Sequence, residues 1–153
     1  MKCISICQPW AWAVIYAAKN LENRPWRTSY RGPLLIHASQ SRKWLDDLMF
    51  DADLLLGLSP EKLVFGAIIG HVRVTGCHRP EACPDNPWAR GPWCHEYRDA
   101  QPIDPPIPWR GQLGIFDVPD SWRITDALSR QAGQESLRRD ALAEKTAGCS
   151  QSS

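Results

Sequence analysis

The fold is decided by residues 2–39, KCISICQPWAWAVIYAAKNLENRPWRTSYRGPLLIHAS. The segment from Lys2 to Cys7 alternates in the way that predicts a β-strand. Proline is favoured in the first turn of a helix, and apolar side chains recur after Pro9 at three- and four-residue spacing. The sequence therefore predicts a strand followed by a helix over residues 9–18.

The next elements follow from the same patterns. Residues 21–30 are polar, aromatic and cationic, and Pro25 is incompatible with a central strand, so this segment is interpreted as an extended loop. The apolar run from Leu34 to Ile36 predicts a buried strand. Ser41 is a suitable N-cap for a second helix, whose apolar stripe continues toward Leu55.

The second half of the chain is less regular. Residues 64–75 are β-prone and predict one long strand or two short ones. Residues 77–108 contain eight prolines and no sustained period, so they are interpreted as a long ordered loop or insertion that could contact a protein partner. Residues 112–118 predict the last strand. Residues 121–146 predict a weakly amphipathic helix, and residues 147–153 a disordered tail.

Length and charge restrict the function classes. A chain of 153 residues fits one ordinary domain. No signal peptide and no run of about 18 apolar residues is present, so we expect a cytoplasmic protein without a membrane span. The net charge is +1, but residues 1–31 carry five cations against one acid, and residues 81–122 carry three cations against seven acids. The cations of residues 1–31 either form a positively charged face that receives an anionic ligand or are scattered over the surface by folding.

One ordered series of motifs resembles a known family. The series resembles the ASCH (activating signal cointegrator homology) domain of the PUA-like superfamily, and its members are Gln8-Pro9-Trp10-Ala11, Lys19, Glu22-Asn23-Arg24, Trp26, Tyr30-Arg31-Gly32, Leu35-Ile36-His37-Ala38-Ser39, Gly66-Ala67-Ile68-Ile69-Gly70 and Trp109-Arg110-Gly111-Gln112-Leu113-Gly114-Ile115-Phe116. The resemblance implies an α+β fold, a PUA-like small β-barrel flanked by helices. It assigns residues 1–120 to this domain and leaves residues 121–153 as a C-terminal helix and tail.

The resemblance also implies a cleft that binds RNA or a nucleotide-like ligand, and we expect no cofactor. The residues expected to line the cleft are Gln8, Trp10, Lys19, Glu22, Arg24, Trp26, Arg31, His37 and Ser39. The cations would meet phosphate, and the tryptophans would stack on an unpaired base. Each residue type also has a structural interpretation: a surface ion pair, core filling by tryptophan, or capping of the helix by Gln8.

Two departures from the family pattern bear on chemistry. Ala17 stands where the family usually has a glycine two positions before the lysine, which makes a left-handed helix cap there more costly. Acetylcytidine amidohydrolases of the superfamily have a lysine-x-x-threonine arrangement, whereas Lys19 is followed at that spacing by Glu22. A hydrolase acting on RNA or modified nucleosides, with Lys19 and Glu22 as catalytic candidates, is the alternative to a binding module.

Two further clusters contain reactive residue types. His37 and Ser39 lie on the same side of the predicted strand, where they form either a base and hydroxyl pair or a local hydrogen-bonded pair. The metal-type ligands have irregular spacings, unlike common zinc sites, and we therefore predict no metal site. The only candidate ligands are Cys77, His78, Cys83, Cys94 and His95.

Overall fold

The computed structural model of the chain describes residues 1–45 and 57–119. Residues Met1–Pro119 form one compact unit. The helix and strands of the described part are β1 (Lys2–Ile6), α1 (Trp10–Tyr16), β2 (Leu21–Arg24), β3 (Gly32–Ala38), β4 (Ala67–His78), β5 (Trp93–Pro108) and β6 (Ile115–Asp117). Short 3₁₀ turns lie at Pro60–Lys62 and Pro80–Ala82.

The six strands form one mixed sheet in the order β2-β5-β4-β3-β1-β6. The pair β1 and β3 is parallel, and the other neighbours are antiparallel. The sheet curves into a half-barrel with α1 packed against it. The apolar face of α1 and the inward side chains of β1, β3 and β4 form the main core. This arrangement confirms the predicted α+β class and the PUA-like barrel.

The helix is followed by a left-handed residue, Ala18, which immediately precedes the buried Lys19. The Lys19 N–H donates to the Ala13 carbonyl at 3.0 Å, and Ala18 adopts a left-handed conformation with φ of 53°. Ala17, where the sequence makes a left-handed cap more costly, is not left-handed and has φ of −119°. An alanine in the left-handed region costs about 1–2 kcal/mol, so the backbone before Lys19 is strained.

The interpretation of residues 21–30 as an extended loop is wrong at its beginning. Leu21–Arg24 forms β2, which pairs with Trp93–Glu96 of β5. Strand β2 lies at the edge of the sheet and ends immediately before Pro25. Proline therefore limits the strand without preventing it.

The interpretation of residues 77–108 as a loop is also wrong. Strand β4 continues to His78, and β5 occupies sixteen residues from Trp93, so only residues 79–92 connect the two strands. Four prolines in β5 lie beyond the part that pairs with β2, where the described residues supply a neighbouring strand on one side only. The N–H groups that face the side without a neighbouring strand need no hydrogen-bond partner in the sheet, so proline is tolerated there. The register shifts between β4 and β5 accommodate the remaining irregularity of the backbone. The expected contact of a 77–108 loop with a protein partner therefore has no support, because most of these residues belong to strands.

Other expectations are confirmed or fall outside the described residues. The pattern over residues 64–75 predicts one long strand or two short ones, and β4 is a single strand of twelve residues. The helix from Ser41 toward Leu55 falls largely in residues 46–56, and the predicted C-terminal helix and tail fall in residues 120–153, all outside the described part. Among the helices that are described, none is long and apolar enough to cross a membrane.

Candidate functional site

Two clefts meet at Ser5, near the end of β1. The first cleft has a volume of about 550 Å³ and is lined by α1, β2 and the connection between β4 and β5. The second has a volume of about 890 Å³ and lies beside the end of β3 and residues 108–113. Ser5 lines both clefts, which fall in the size range of small-ligand sites.

An ionic triad of Lys19, Glu22 and Arg24 lines the first cleft. Lys19 Nζ lies 2.7 Å from Glu22 Oε2 and also donates to the Leu21 carbonyl. Arg24 Nη2 lies 3.2 Å from the other carboxylate oxygen, Glu22 Oε1. The side chains of Lys19 and Glu22 are only 4% and 10% exposed. One carboxylate thus holds two cations, and the triad carries a net charge of +1 beside the cleft.

Arg24 connects the triad to the rest of the site. Its Nη2 donates to the Ser5 carbonyl at 2.7 Å, so the guanidinium is fixed between β1 and β2. Its Nε is buried and has no hydrogen-bond partner within the described residues. A buried donor without a partner is costly, so a bound water or a ligand acceptor would be stabilised at this position.

Aromatic side chains form the walls of the first cleft. Trp10 and Trp88 both line it and contact each other edge to face, with 6.4 Å between ring centroids. Lys19 Nζ lies 5.9 Å from the Trp88 ring centroid. Trp44, which is partly exposed, lies on the same cleft. The cleft therefore combines fixed charge with flat apolar surfaces.

Asn23 holds the 79–92 connection against the cleft. Its Nδ2 donates to the Trp88 carbonyl at 2.9 Å, and its Oδ1 accepts from the N–H groups of Arg90 and Gly91 at 3.0 and 2.7 Å. A Cβ at Gly91 would lie 2.5 Å from the Asn23 Cβ, so this close approach requires glycine. Trp88 and Arg90 were missed in the sequence because their segment carries no periodic signal.

A neutral hydrogen-bonded pair lies in the second cleft. His37 Nδ1 is 3.1 Å from Ser5 Oγ, and His37 Nε2 is 2.9 Å from the Trp109 carbonyl oxygen. Burial lowers the pKa of His37 from its ordinary value of 6.5, and the Trp109 hydrogen bond partly offsets this effect. Ser39 also lines this cleft, but its hydroxyl donates to Cys7 Sγ at 3.4 Å. The hydroxyl that His37 contacts is therefore that of Ser5.

The ASCH domain family model matches residues 4–107. The chain belongs to the ASCH family. This ASCH domain is similar in fold to the crystal structure of ASCH from Zymomonas mobilis, with a TM-score of 0.52 and 14% sequence identity over 84% of this chain and 93% of that one. No curated protein sequence matches the chain. The family is generally associated with RNA binding.

The ASCH fold gathers part of the predicted site into the first cleft. Trp10, Lys19, Glu22 and Arg24 line it together. Three other predicted residues do not line either cleft. They are Gln8, whose amide donates to the Val64 carbonyl and accepts from the Trp12 N–H at 3.0 Å; Trp26, which packs edge-on against His95; and Arg31, which donates to the carbonyls of Thr28 and Tyr30.

The metal-type residues of this ASCH domain do not converge. Within the described residues no group of three or more His, Cys, Asp or Glu side chains is placed to hold a metal ion. His95 is fully buried and its Nε2 hydrogen-bonds the Trp26 carbonyl, whereas His78 approaches Cys83 and Glu96 at 3.8 and 3.9 Å. Five of the six cysteines fall in the described part, and all five are free thiols.

Proposed function

We propose that this ASCH domain binds single-stranded RNA and holds one unpaired nucleotide in the first cleft. The observation that carries the proposal is the ionic triad of Lys19, Glu22 and Arg24 beside walls of tryptophan. A cleft of this size suits a ligand of nucleotide dimensions. Double-stranded RNA is recognised across a wide, shallow groove, so a concave site favours an unpaired base.

The aromatic walls support recognition of a base by stacking. Trp10 is partly exposed, and it is braced by its edge-to-face contact with Trp88, which is 8% exposed. Stacking of a base on such a ring contributes about 1–3 kcal/mol. Because Trp88 is mostly buried, we assign the larger stacking role to Trp10.

The charges support recognition of one phosphate. The net +1 of the triad and the cation of Arg90 both lie on the first cleft. Lys19 is committed to Glu22 and to the Leu21 carbonyl, so we propose that it positions Glu22 and that Arg24 and Arg90 meet the anionic ligand. One or two phosphate contacts predict a shallow dependence of affinity on salt, with a slope of roughly −0.7 per phosphate for a single strand.

We include in the proposed site only residues that line the first cleft. Trp10, Lys19, Glu22, Arg24, Trp88 and Arg90 belong to it. Gln8, Trp26 and Arg31 are proposed as scaffold residues, because their polar or aromatic contacts are made within the domain. The hydrolase alternative built on Lys19 and Glu22 gains no support from these contacts, since each side chain is already engaged by the other.

The test is binding of fluorescein-labelled eight-nucleotide RNA homopolymers, followed by fluorescence anisotropy. We expect Trp10→Leu to weaken binding by about 5- to 150-fold, the equivalent of one lost stacking contact. Trp12→Leu is the matched control, because Trp12 is a partly buried tryptophan of the same helix that lies on a different pocket. Equal losses in both variants would contradict the proposal.

A second arm tests the charges. Arg90→Gln is expected to weaken RNA binding several-fold and to reduce the salt slope. Arg73→Gln, which removes a half-exposed arginine of β4 away from the first cleft, is expected to leave both quantities unchanged. Incubation of the same RNAs with the protein for hours, analysed for cleavage, distinguishes binding from hydrolysis. An RNA affinity that changes neither with salt concentration nor in Arg90→Gln would overturn the electrostatic part of the proposal.

A further inference from the structure

We propose that Ser5 is a nucleophile activated by His37, and that the second cleft accepts carboxylic esters. This inference is independent of RNA binding in the first cleft. It starts from the register of the sheet, in which Ser5 of β1 lies directly beside His37 of the parallel strand β3. The two side chains meet at 3.1 Å, within the range expected for a nucleophile and its base.

The hydrogen bonds of His37 fix which nitrogen acts. The Trp109 carbonyl oxygen can only accept, so its 2.9 Å contact requires the proton to be on His37 Nε2. Nδ1 then presents its lone pair to Ser5 Oγ, and the serine hydroxyl donates to it. This is the orientation that a general base needs, with a main-chain carbonyl holding the ring as the third member.

Burial keeps the base in its active form. His37 is 1% exposed, and desolvation lowers the pKa of its side chain, so the neutral imidazole predominates at pH 7. Ser5 is only partly buried and lines both clefts, whereas its base is 1% exposed.

Gly111 brings the backbone of the loop after β5 to the same place. A Cβ on Gly111 would lie 2.7 Å from both Ser5 Oγ and His37 Cε1, so the loop backbone passes against the pair. The N–H groups of Gly111 and Gln112 have no hydrogen-bond acceptor among residues 1–45 and 57–119. Main-chain donors beside a nucleophile are the groups that stabilise the oxyanion of an acyl-transfer intermediate. This combination points to a carbonyl substrate.

The proposed step conserves atoms and charge. Ser5 Oγ attacks the ester carbonyl carbon, and its proton moves to His37 Nδ1. The carbonyl electrons move to oxygen and are stabilised by the loop amides. When the tetrahedral intermediate collapses, the bond to the leaving alcohol breaks and His37 returns the proton to that oxygen. Water, deprotonated by His37, then releases the carboxylic acid and restores Ser5.

Covalent labelling tests the proposal without knowledge of the natural ester. A fluorophosphonate probe is incubated with the full chain, and the modified residue is located by peptide mass spectrometry. We expect one phosphonylated residue, Ser5, and turnover of p-nitrophenyl acetate above the buffer rate. Ser5→Ala should abolish the labelling, and His37→Gln should slow it by at least 100-fold.

The matched control is Ser39→Ala, because Ser39 lines the same cleft but hydrogen-bonds Cys7. It is expected to label like the parent chain. Thermal unfolding of each variant shows that the fold is intact, and Arg73→Gln, which lies on neither cleft, should label normally. No labelling of a folded parent chain, labelling of another residue, or equal labelling of folded His37→Gln would each overturn the proposal.

Discussion

The two clefts share one residue and differ in how their polar groups are satisfied. In the first cleft, Glu22 holds two cations and leaves a net positive charge. In the second, His37 and Ser5 satisfy each other as neutral groups, with the Trp109 carbonyl as the third partner. Ser5 joins them, because its carbonyl accepts from Arg24 while its hydroxyl donates to His37.

The comparison shows that one end of the half-barrel carries both a charged site and a neutral hydrogen-bonded site. A buried ion pair is held at high electrostatic cost and suits an anionic ligand, whereas a neutral dyad costs little to bury and suits proton transfer. Substitutions in the two clefts should therefore affect stability by different amounts and for different reasons.

The largest effect is expected at the first cleft. Glu22→Ala leaves Lys19 buried without its carboxylate, and loss of one partner of a buried pair costs about 3–5 kcal/mol. The free energy of unfolding in urea measures this cost. Asp117→Asn is the control, because Asp117 pairs with Lys2 where both side chains are solvent-exposed, and its loss should change stability by less than about 1 kcal/mol. Similar losses in the two variants would show that Lys19 is not desolvated.

A smaller effect is expected at the second cleft. Gly111→Ala forces a methyl group to within 2.7 Å of Ser5 Oγ and His37 Cε1, and such overpacking costs roughly 1–3 kcal/mol. Combining it with Ser5→Gly removes one of the two clashes and should recover part of the loss, as measured by urea unfolding. If Gly111→Ala unfolds like the parent chain, the loop does not pass against the dyad.

A still smaller change in the free energy of unfolding is expected at Ala18, immediately before Lys19, and this substitution should stabilise the fold. Ala18→Gly relieves the left-handed strain of about 1–2 kcal/mol but increases the entropy of the unfolded chain by the equivalent of about 0.4–1 kcal/mol, leaving a gain of roughly 0.5–1 kcal/mol. Ala17→Gly, at φ of −119°, should not be stabilising. Thermal unfolding of the pair distinguishes strain relief from a general effect of glycine.

The smallest effect expected is a pH dependence of the free energy of unfolding, to which one histidine near each cleft contributes. Burial lowers the pKa values of His37, in the second cleft, and His95, which lies opposite Glu22 behind the first, below their ordinary value of 6.5. Each histidine keeps a hydrogen bond to a main-chain carbonyl that partly offsets burial, so the effect is modest. The unfolded chain binds more protons in this window, so stability falls as pH drops from above 6.5 toward the lowered values.

Urea unfolding between pH 7.5 and 5.5 measures this decline. His37→Gln and His95→Gln should each flatten it, and the residual slope in either variant reports the other histidine. For His95 the neighbouring charges are Arg24, Glu22 and Arg31, which change little in charge over this range. A slope that neither substitution alters would assign the decline to other groups.

Local patterns were sufficient for the elements whose periodicity is clean. The strand from Lys2, the helix after Pro9 and the buried run at Leu34 all lie where the sequence predicts them. The edge strand β2 was missed because its pairing with β5 is a long-range property. Strand β5 was missed because proline content argues against a strand, and only its one-sided pairing makes those prolines tolerable.

The candidate site was predictable to a similar extent. Lys19, Glu22 and Arg24 follow from their motif, and the first cleft unites them. The partner of His37 was not predictable from neighbouring residues, which favoured Ser39. Ser5 is 32 positions away in sequence and becomes its neighbour only through the parallel register of β1 and β3.

The three hydrogen bonds that join Asn23 to the 79–92 connection have an evolutionary consequence. They anchor the 79–92 connection at Trp88, Arg90 and Gly91, at the point where it reaches the first cleft. Asn86 accepts from the Trp88 N–H at 2.9 Å and Cys83 packs against the cluster that contains Trp88, whereas residues 79–82 make none of these contacts. Insertions and deletions there would therefore leave the barrel and the anchored tryptophan in place, so related chains can diversify the entrance to the cleft without rebuilding its ionic triad.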